Sequence, residues 1–260
     1  MKAIVVRPGS PGVELAEIPG PEPEAGAVLV EGLALGICGT DREIVAGAYG
    51  WAPPGRDRLV LGHESLGRVR EAPAASGLRA GDLVAGIVRR PDPVPCACCA
   101  AGRWDSCRNG RYTERGIKEL DGFGAERWSV EPEFCVALPG ELETVGVLLE
   151  PASIVAKAWA EIDALAARSC APPRVALVTG AGPIGLLAAL LSVQRGLETH
   201  VVDIVTGGPK PELVAALGAT YHGHGLTRAA VDADVIVEAT GVGQVAIDAI
   251  TATGPGASCA

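Results

Sequence analysis

The chain has 260 residues, 48% of them apolar and 20% charged, enough to build one large packed domain or two ordinary ones. Its net charge of -9 argues against nucleic-acid binding. The densest basic stretch, Arg103 to Arg115, is interrupted by acids and apolar residues and reads as a solvated loop. No apolar run is long enough to span a membrane.

Met1-Lys2 runs directly into Ala3-Ile4-Val5-Val6-Arg7, which reads as a strand and leaves no room for a signal-peptide pattern, so a cytoplasmic chain is expected. In that compartment eight cysteines are metal ligands or reduced thiols rather than disulfides, and four of them fall between Cys96 and Cys107. Short apolar runs separated by Gly/Pro turns follow: Ala27–Val30, Ser65–Val69 and Asp82–Val88. That spacing predicts a β-rich domain, barrel-like or sandwich.

The pattern changes after Glu150-Pro151. Ala152 to Ala167 has helical spacing with proline in the first turn. From Arg174 onward strands and helices alternate. The predicted elements are a strand at Val175–Val178, a helix at Ile184–Gln194 and a strand at Thr199–Val202. A helix at Pro211–Leu217, a short segment around Tyr221, a strand at Asp234–Glu238 and a helix at Gln244–Ile250 follow. Alternation of this kind predicts an α/β unit with a doubly wound parallel sheet. Gly256–Ala260 reads as the opening of another strand, where a truncated sequence is expected. The domain limits expected are 1–168, with a cysteine lobe near 91–110, and 169–260.

Gly180-Ala181-Gly182-Pro183-Ile184-Gly185 fits G-x-G-x-x-G and stands between a strand and a helix, with Asp203 closing the next strand. Gly180 allows the tight turn, Gly182 lets backbone approach a pyrophosphate, and Gly185 lets helix pack on strand. The helix start, at Pro183 and Ile184, offers free N–H groups to phosphate. Asp203 would accept from ribose hydroxyls and repel a 2′-phosphate, yet Lys210 lies in the following loop, so NAD and NADP both stay open. Thr240, after a parallel strand, is placed to touch the nicotinamide half.

Thiol, imidazole and carboxylate are zinc donors, and three distant segments offer them: Cys38 with Thr40 and Asp41, His63 with Glu64, and Glu150. Asp41 could accept from His63 and fix its tautomer. Read singly, Cys38 is a small buried hydrophobe, His63 a core histidine, and both glutamates surface acids. In the lobe, Cys96, Cys99 and Cys107 supply three donors of a tetrahedral structural zinc, with Asp92 or Cys98 as the fourth. Cys135, Cys170 and Cys259 read as isolated thiols, and His222-Gly223-His224 as a solvated turn rather than a metal site.

Taken together, Cys38-Gly39-Thr40-Asp41, Gly62-His63-Glu64, the Gly81-Asp82 turn, the cysteine lobe and the Gly180 fingerprint resemble the zinc-dependent medium-chain dehydrogenase/reductase family over the whole chain. Val60–Glu64, Val88-Arg89-Arg90-Pro91, Tyr112–Ile117 and Leu148–Pro151 resemble its glucose dehydrogenase branch most. The resemblance implies a GroES-like β-barrel catalytic domain followed by a Rossmann domain that is incomplete at its C-terminus. It implies a catalytic zinc on Cys38, His63 and Glu150, with Glu64 as an alternate ligand, and sugar contacts from Thr40, Glu114 and Glu150. The reaction implied is oxidation of an aldose, D-glucose to gluconolactone, with hydride passing to NAD(P) and the Thr40 hydroxyl relaying a proton. Two departures stand out. Pro93 occupies the usual first cysteine position of the lobe, and about a hundred residues that complete the sheet and the dimer strand of a homo-oligomeric family member are missing. The competing readings are another zinc-linked polyol or secondary-alcohol dehydrogenase, and an inactive fragment that only binds nucleotide or zinc.

Overall fold

The computed structural model describes residues 1–21, 26–169, 171–225, 232–252 and 257–260; Cys170 lies outside the described residues. The chain divides into two compact units, Met1–Glu150 and Pro151–Ala260.

The first unit is β-rich. In chain order it contains β1 (Lys2–Val6), β2 (Glu14–Glu17), β3 (Val28–Gly36), α1 (Gly39–Val45), β4 (Leu59–Val60), β5 (Glu64–Glu71) and β6 (Leu83–Gly86). There follow β7 (Arg89–Arg90), α2 (Ala97–Ala100), β8 (Thr113–Arg115), β9 (Glu119–Leu120), β10 (Arg127–Val130) and β11 (Cys135–Leu138). The main sheet runs β10-β3-β5-β6-β11, flanked by the smaller sheets β2-β1-β4 and β7-β8-β9. The main sheet's neighbours are all antiparallel. Trp128 and Val130 of β10 are buried while Arg127 is exposed and Ser129 half-buried, the alternation of a sheet with one face on a core. Behind that face Phe123 meets Trp128 edge to face at 4.7 Å, packed with Val28, Val30, Val69 and Val84.

The second unit holds α3 (Leu149–Ala166) from Pro151 onward, β12 (Val175–Thr179), α4 (Pro183–Gln194), β13 (Glu198–Val202) and α5 (Pro209–Ala216). It ends with β14 (Thr220–His222), β15 (Val235–Glu238), α6 (Gly243–Ala252) and β16 (Ser258–Cys259). The sheet order is β14-β13-β12-β15-β16 and every pairing is parallel. In sequence rank that is third, second, first, fourth, fifth, the Rossmann order, with its switch point between β12 and β15. Residues 176–179 of β12 are all buried, as a strand covered on both faces must be. Ala176 and Val178 point to the core shared with α4, and Leu177 to the core shared with Ala249 of α6.

The sequence places the boundary at 168, and the structure corrects it to Glu150. Val155, Trp159 and Ile162 of α3 are at most 2% exposed and pack against α4 and the parallel strands. Each buried side chain of this kind stabilises by about 1.5–3 kcal/mol. The helix therefore belongs to the core it covers. Most other elements lie within two or three residues of their expected limits. The helix expected from Pro211 begins at Pro209, which brings Lys210 into its first turn.

Candidate active site

Cys38 sits between β3 and α1, extended at the N-cap of the helix. Its backbone N–H donates to Asp41 Oδ2 at 2.9 Å, so the acid three residues on closes the helix start. Gly62, at φ +100°, makes the turn that delivers His63 to the head of β5. There His63 Nε2 lies 3.2 Å from the Cys38 sulfur, and Nδ1 lies 3.4 Å from Asp41 Oδ1, an ion-pair contact that lacks hydrogen-bond alignment. His63 is 4% exposed and Asp41 1%. Glu64 folds over Gly36, where any Cβ would stand 1.9 Å from its Oε2. Glu150, in the first turn of α3, completes the cluster.

The donor atoms fall into two overlapping groups, each within 4.8 Å: Cys38, Asp41 and His63, and His63, Glu64 and Glu150. The expected trio of Cys38, His63 and Glu150 is thus joined through His63, with Cys38 and Glu150 in separate groups. Asp41 stands at His63 Nδ1, the place that the sequence reading gives it as an outer partner, and also falls in the Cys38 group. Three carboxylates and a thiol around one imidazole form a buried site of excess negative charge. Burial raises the pKa of Glu64 and of Glu150, the neighbouring acids adding to it. Burial would also raise Asp41, but His63 and the Cys38 N–H hold it below the usual carboxylate value. A divalent cation resolves that frustration, and thiol, imidazole and carboxylate are the donor types of zinc.

Burial alone would disfavour the imidazolium of His63, but Asp41 and Cys38 beside it prevail and raise its pKa to about 10. A cation must displace that proton to take the nitrogen. Below the raised pKa the proton competes with the metal, and the competition fades as pH rises toward it. Zinc affinity is therefore expected to climb between about pH 6 and 8, roughly tenfold per unit for each proton displaced. Calorimetric titrations in buffers of different ionisation enthalpy read the protons released. A pH-independent affinity with no proton release would take His63 out of the ligand set.

Thr40 is half-buried in the first turn of α1. Glu114, on β8, contributes to the electrostatics that raise Glu150. A partner that sequence reading missed holds it: Arg89 donates from Nε at 2.9 Å and Nη2 at 2.7 Å to Glu114 Oε1. Arg89 also lies 4.0 Å over the Tyr112 ring. The pairing of β7 with β8 places Arg89 opposite Glu114.

In the lobe, the sulfurs of Cys96, Cys99 and Cys107 gather within 4.8 Å, and neither Asp92 nor Cys98 joins them. Asp92 Oδ1 instead accepts from Val94 N at 2.8 Å, and Arg111 lies 3.7 Å from its Oδ2. Cys98 neighbours Cys99 on the single turn of α2, where adjacent residues point apart. All the described cysteines, Cys135 and Cys259 included, are free thiols.

In the second unit the glycine turn follows its expected design. Gly180 has φ +92°, and a Cβ on Gly185 would stand 1.8 Å from the Gly180 carbonyl oxygen. At Gly182, the N-cap of α4, a Cβ would meet nothing within 4 Å, leaving open space for a phosphate in front of the helix start at Pro183 and Ile184. A Cβ on Gly180 would stand 3.0 Å from Thr240 Cγ2, across the switch point. Asp203 accepts from Ala181 N at 2.8 Å, Val205 N at 3.0 Å and Lys210 Nζ at 2.7 Å. Glu238, unremarked in the sequence, gathers Thr179 Oγ1 at 3.3 Å, Thr240 N at 2.7 Å and the Thr240 hydroxyl. His222 is a correction. Rather than lying in a solvated turn it ends β14, half-buried, with Nε2 2.9 Å from His200 Nδ1.

Among the described residues no helix is long and apolar enough to cross a membrane. Residues 24–140 match the family described as alcohol dehydrogenase GroES-like domain, and residues 143–259 match glucose dehydrogenase C-terminus. The chain is 40% identical to the glucose 1-dehydrogenase of Methanocella arvoryzae, over 97% of its own length and 73% of that protein. It is 38% identical to that of Thermoproteus tenax, over 98% and 73%. A solved structure, Haloferax mediterranei glucose dehydrogenase in complex with NADP, zinc and gluconolactone, superposes with a TM-score of 0.89 at 33% identity. That match covers 100% of this chain and 75% of the other.

Proposed function

This chain belongs to the glucose dehydrogenase branch of the zinc-dependent medium-chain dehydrogenase/reductase family, and on that premise we propose that it oxidises an aldose, D-glucose to gluconolactone, with NAD(P) as hydride acceptor. The observation that carries the reading is the junction at His63 of the Cys38 and Glu150 donor groups.

Cys38, His63 and Glu150 would hold a zinc ion, with Glu64 beside them as an alternate ligand. When bound, zinc supplies Lewis acidity toward the sugar hydroxyl, and the nicotinamide accepts the hydride. Asp41 stands at Nδ1 of His63 and leaves Nε2 as the metal-facing nitrogen. Thr40 Oγ1 relays the proton that the sugar hydroxyl gives up, accepting it as its own hydroxyl proton passes on to solvent. Glu114, steadied by Arg89, and Glu150 accept hydrogen bonds from the other sugar hydroxyls and so orient the ring. In the second unit the N–H groups at the start of α4 bind the pyrophosphate, and Thr240 lies beside the nicotinamide half. The three gathered thiols of Cys96, Cys99 and Cys107 would supply three of the four donors of a second, structural zinc.

The test is a panel of aldoses, polyols and secondary alcohols offered to the zinc-loaded chain, followed by absorbance of the reduced cofactor. D-glucose or a near epimer is expected to give the highest kcat/KM, with a lactone as product. Turnover confined to secondary alcohols would overturn the sugar assignment.

A further inference from the structure

Three short segments of the β-rich unit meet on one guanidinium. Antiparallel pairing sets Arg89 of β7 opposite Glu114 of β8. Nε and Nη2 both donate to Glu114 Oε1, at 2.9 and 2.7 Å, so Oε2 keeps no hydrogen-bond partner among the described residues. Nη1 donates instead to the Asp105 carbonyl, at 2.8 Å. The Tyr112 ring, its centroid 4.0 Å from Cζ, fixes the plane of the group. The donors of a guanidinium stand in a rigid fork, so it cannot turn at one partner without turning at the other. The side chains of Arg89 and Glu114 are 27% and 13% exposed, which leaves the pair mostly out of water.

The Asp105 carbonyl belongs to the cysteine lobe. It sits in the turn Trp104–Ser106, closed by Ser106 N on Arg103 O at 3.0 Å and by Cys107 N on Trp104 O at 3.1 Å. Two residues on, the Cys107 sulfur gathers with those of Cys96 and Cys99. The Arg108 N–H donates to the Cys96 sulfur at 3.4 Å, so the chain after the turn is tied to the same cluster. Between residues 91 and 110 only Asp92 and Cys99 are buried, and the lobe has no apolar core to hold this loop. Apart from Trp104, set edge-on at 6.4 Å from Phe134, the place of the Asp105 carbonyl rests chiefly on the gathered thiols.

We propose that Arg89 is a positioning residue through which the cysteine lobe controls sugar binding. With the three thiols gathered, Asp105 holds the guanidinium and Glu114 presents Oε2 to a sugar hydroxyl. A lobe that loses its cluster releases Nη1, lets the fork turn and leaves the Glu114 carboxylate free to rotate. The change is one of affinity, because Glu114 meets the sugar ring and stands outside the donor groups joined at His63. The inference rests on the proposed role of Glu114 as a sugar contact.

Steady-state kinetics with D-glucose and saturating NAD(P), on the zinc-loaded full chain, reads the effect. Arg89→Ala is expected to raise KM for D-glucose about tenfold or more while kcat falls less than about threefold. Arg89→Lys keeps the charge without the fork and should recover part of the loss. Cys107→Ser should raise KM about fivefold or more in the wild-type background and less than about twofold in the Arg89→Ala background, where the path is already cut. Cys96→Ser serves the same cycle if Cys107→Ser does not fold. The Arg89 Nε–H resonance, assigned by its absence from Arg89→Lys, gives a readout independent of turnover. It should exchange slowly with solvent in the wild type and fast in either cysteine variant. Equal losses in kcat and in both the sugar and nucleotide KM would mean a purely structural role for Arg89. Additive KM losses would mean that lobe and guanidinium act separately, and a wild-type KM in the cysteine variants would mean no coupling. Each of these overturns the proposal. A wild-type chain that turns over no aldose loses the Glu114 role and the aldose reading together, whereas aldose turnover with an uncoupled cycle strikes the inference alone.

Discussion

His63→Ala should lose at least about three orders of magnitude in kcat/KM for sugar oxidation, close to 4 kcal/mol of transition-state stabilisation. The size follows from position. His63 is the one residue shared by both donor groups, so its loss separates Cys38 and Asp41 from Glu64 and Glu150. Neighbouring acids do not replace it, because Asp41 already accepts the Cys38 N–H and Glu64 stands with Glu150 in the group that lacks Cys38. Bound zinc, counted per chain by atomic absorption, should fall by the equivalent held there, while the thiols of the lobe keep theirs. Nucleotide affinity should hold within about twofold, since the glycine turn lies in the other compact unit. His63→Gln, which keeps volume and polarity in a pocket that is 4% exposed, separates metal loss from a packing defect. Turnover by either variant at more than a few per cent of wild type after chelation would remove the metal from the reaction.

How much of this was legible in the sequence depended on the range of the interaction. The parallel sheet was readable because each of its signals is local. The runs at Val175–Val178 and Val235–Val237 are apolar throughout, and the glycine turn spans six consecutive residues. The donor cluster around His63 is the opposite case. Residues 38, 63 and 150 share no periodicity, and only resemblance to a family brought them together on paper. Spacing left Asp92 and Cys98 open as the fourth donor of the lobe, a choice that packing decides. In the structure neither joins the three sulfurs; Asp92 Oδ1 accepts from Val94 N, and its Oδ2 is buried without a hydrogen-bond partner among the described residues. Helical spacing located α3 but could not say which core its apolar face would cover, so the boundary fell at 168 instead of Glu150. Arg89 on Glu114 and Glu238 on Thr240 were invisible for the same reason, because a polar partner across strands or around a turn carries no signature in either segment alone.

The glycine turn allows a sharper test, because two of its glycines are required for different reasons. At Gly185 the obstacle is internal. An added methyl would stand 1.8 Å from a backbone oxygen, 2.9 Å from the Gly180 carbonyl carbon and 3.5 Å from Val178 Cγ1, and backbone cannot rotate aside as a side chain can. Gly185→Ala must therefore lift α4 from β12 or twist the turn, at a cost of about 1–3 kcal/mol or more. The midpoint of thermal unfolding should drop by about 4 °C or more, and dinucleotide affinity should fall about a hundredfold as the helix start is displaced. Gly182 is flanked by open space, and its φ of -84° and ψ of -177° suit alanine. Gly182→Ala should leave the unfolding midpoint within about a degree and still weaken dinucleotide by about tenfold or more, because the methyl occupies the volume that the pyrophosphate needs. Stability and binding are thus expected to fall together in one variant and to separate in the other. If Gly182→Ala binds NAD(H) as wild type does, the phosphate does not pass in front of α4. An unaltered unfolding midpoint in Gly185→Ala would mean that strand and helix can part there without strain.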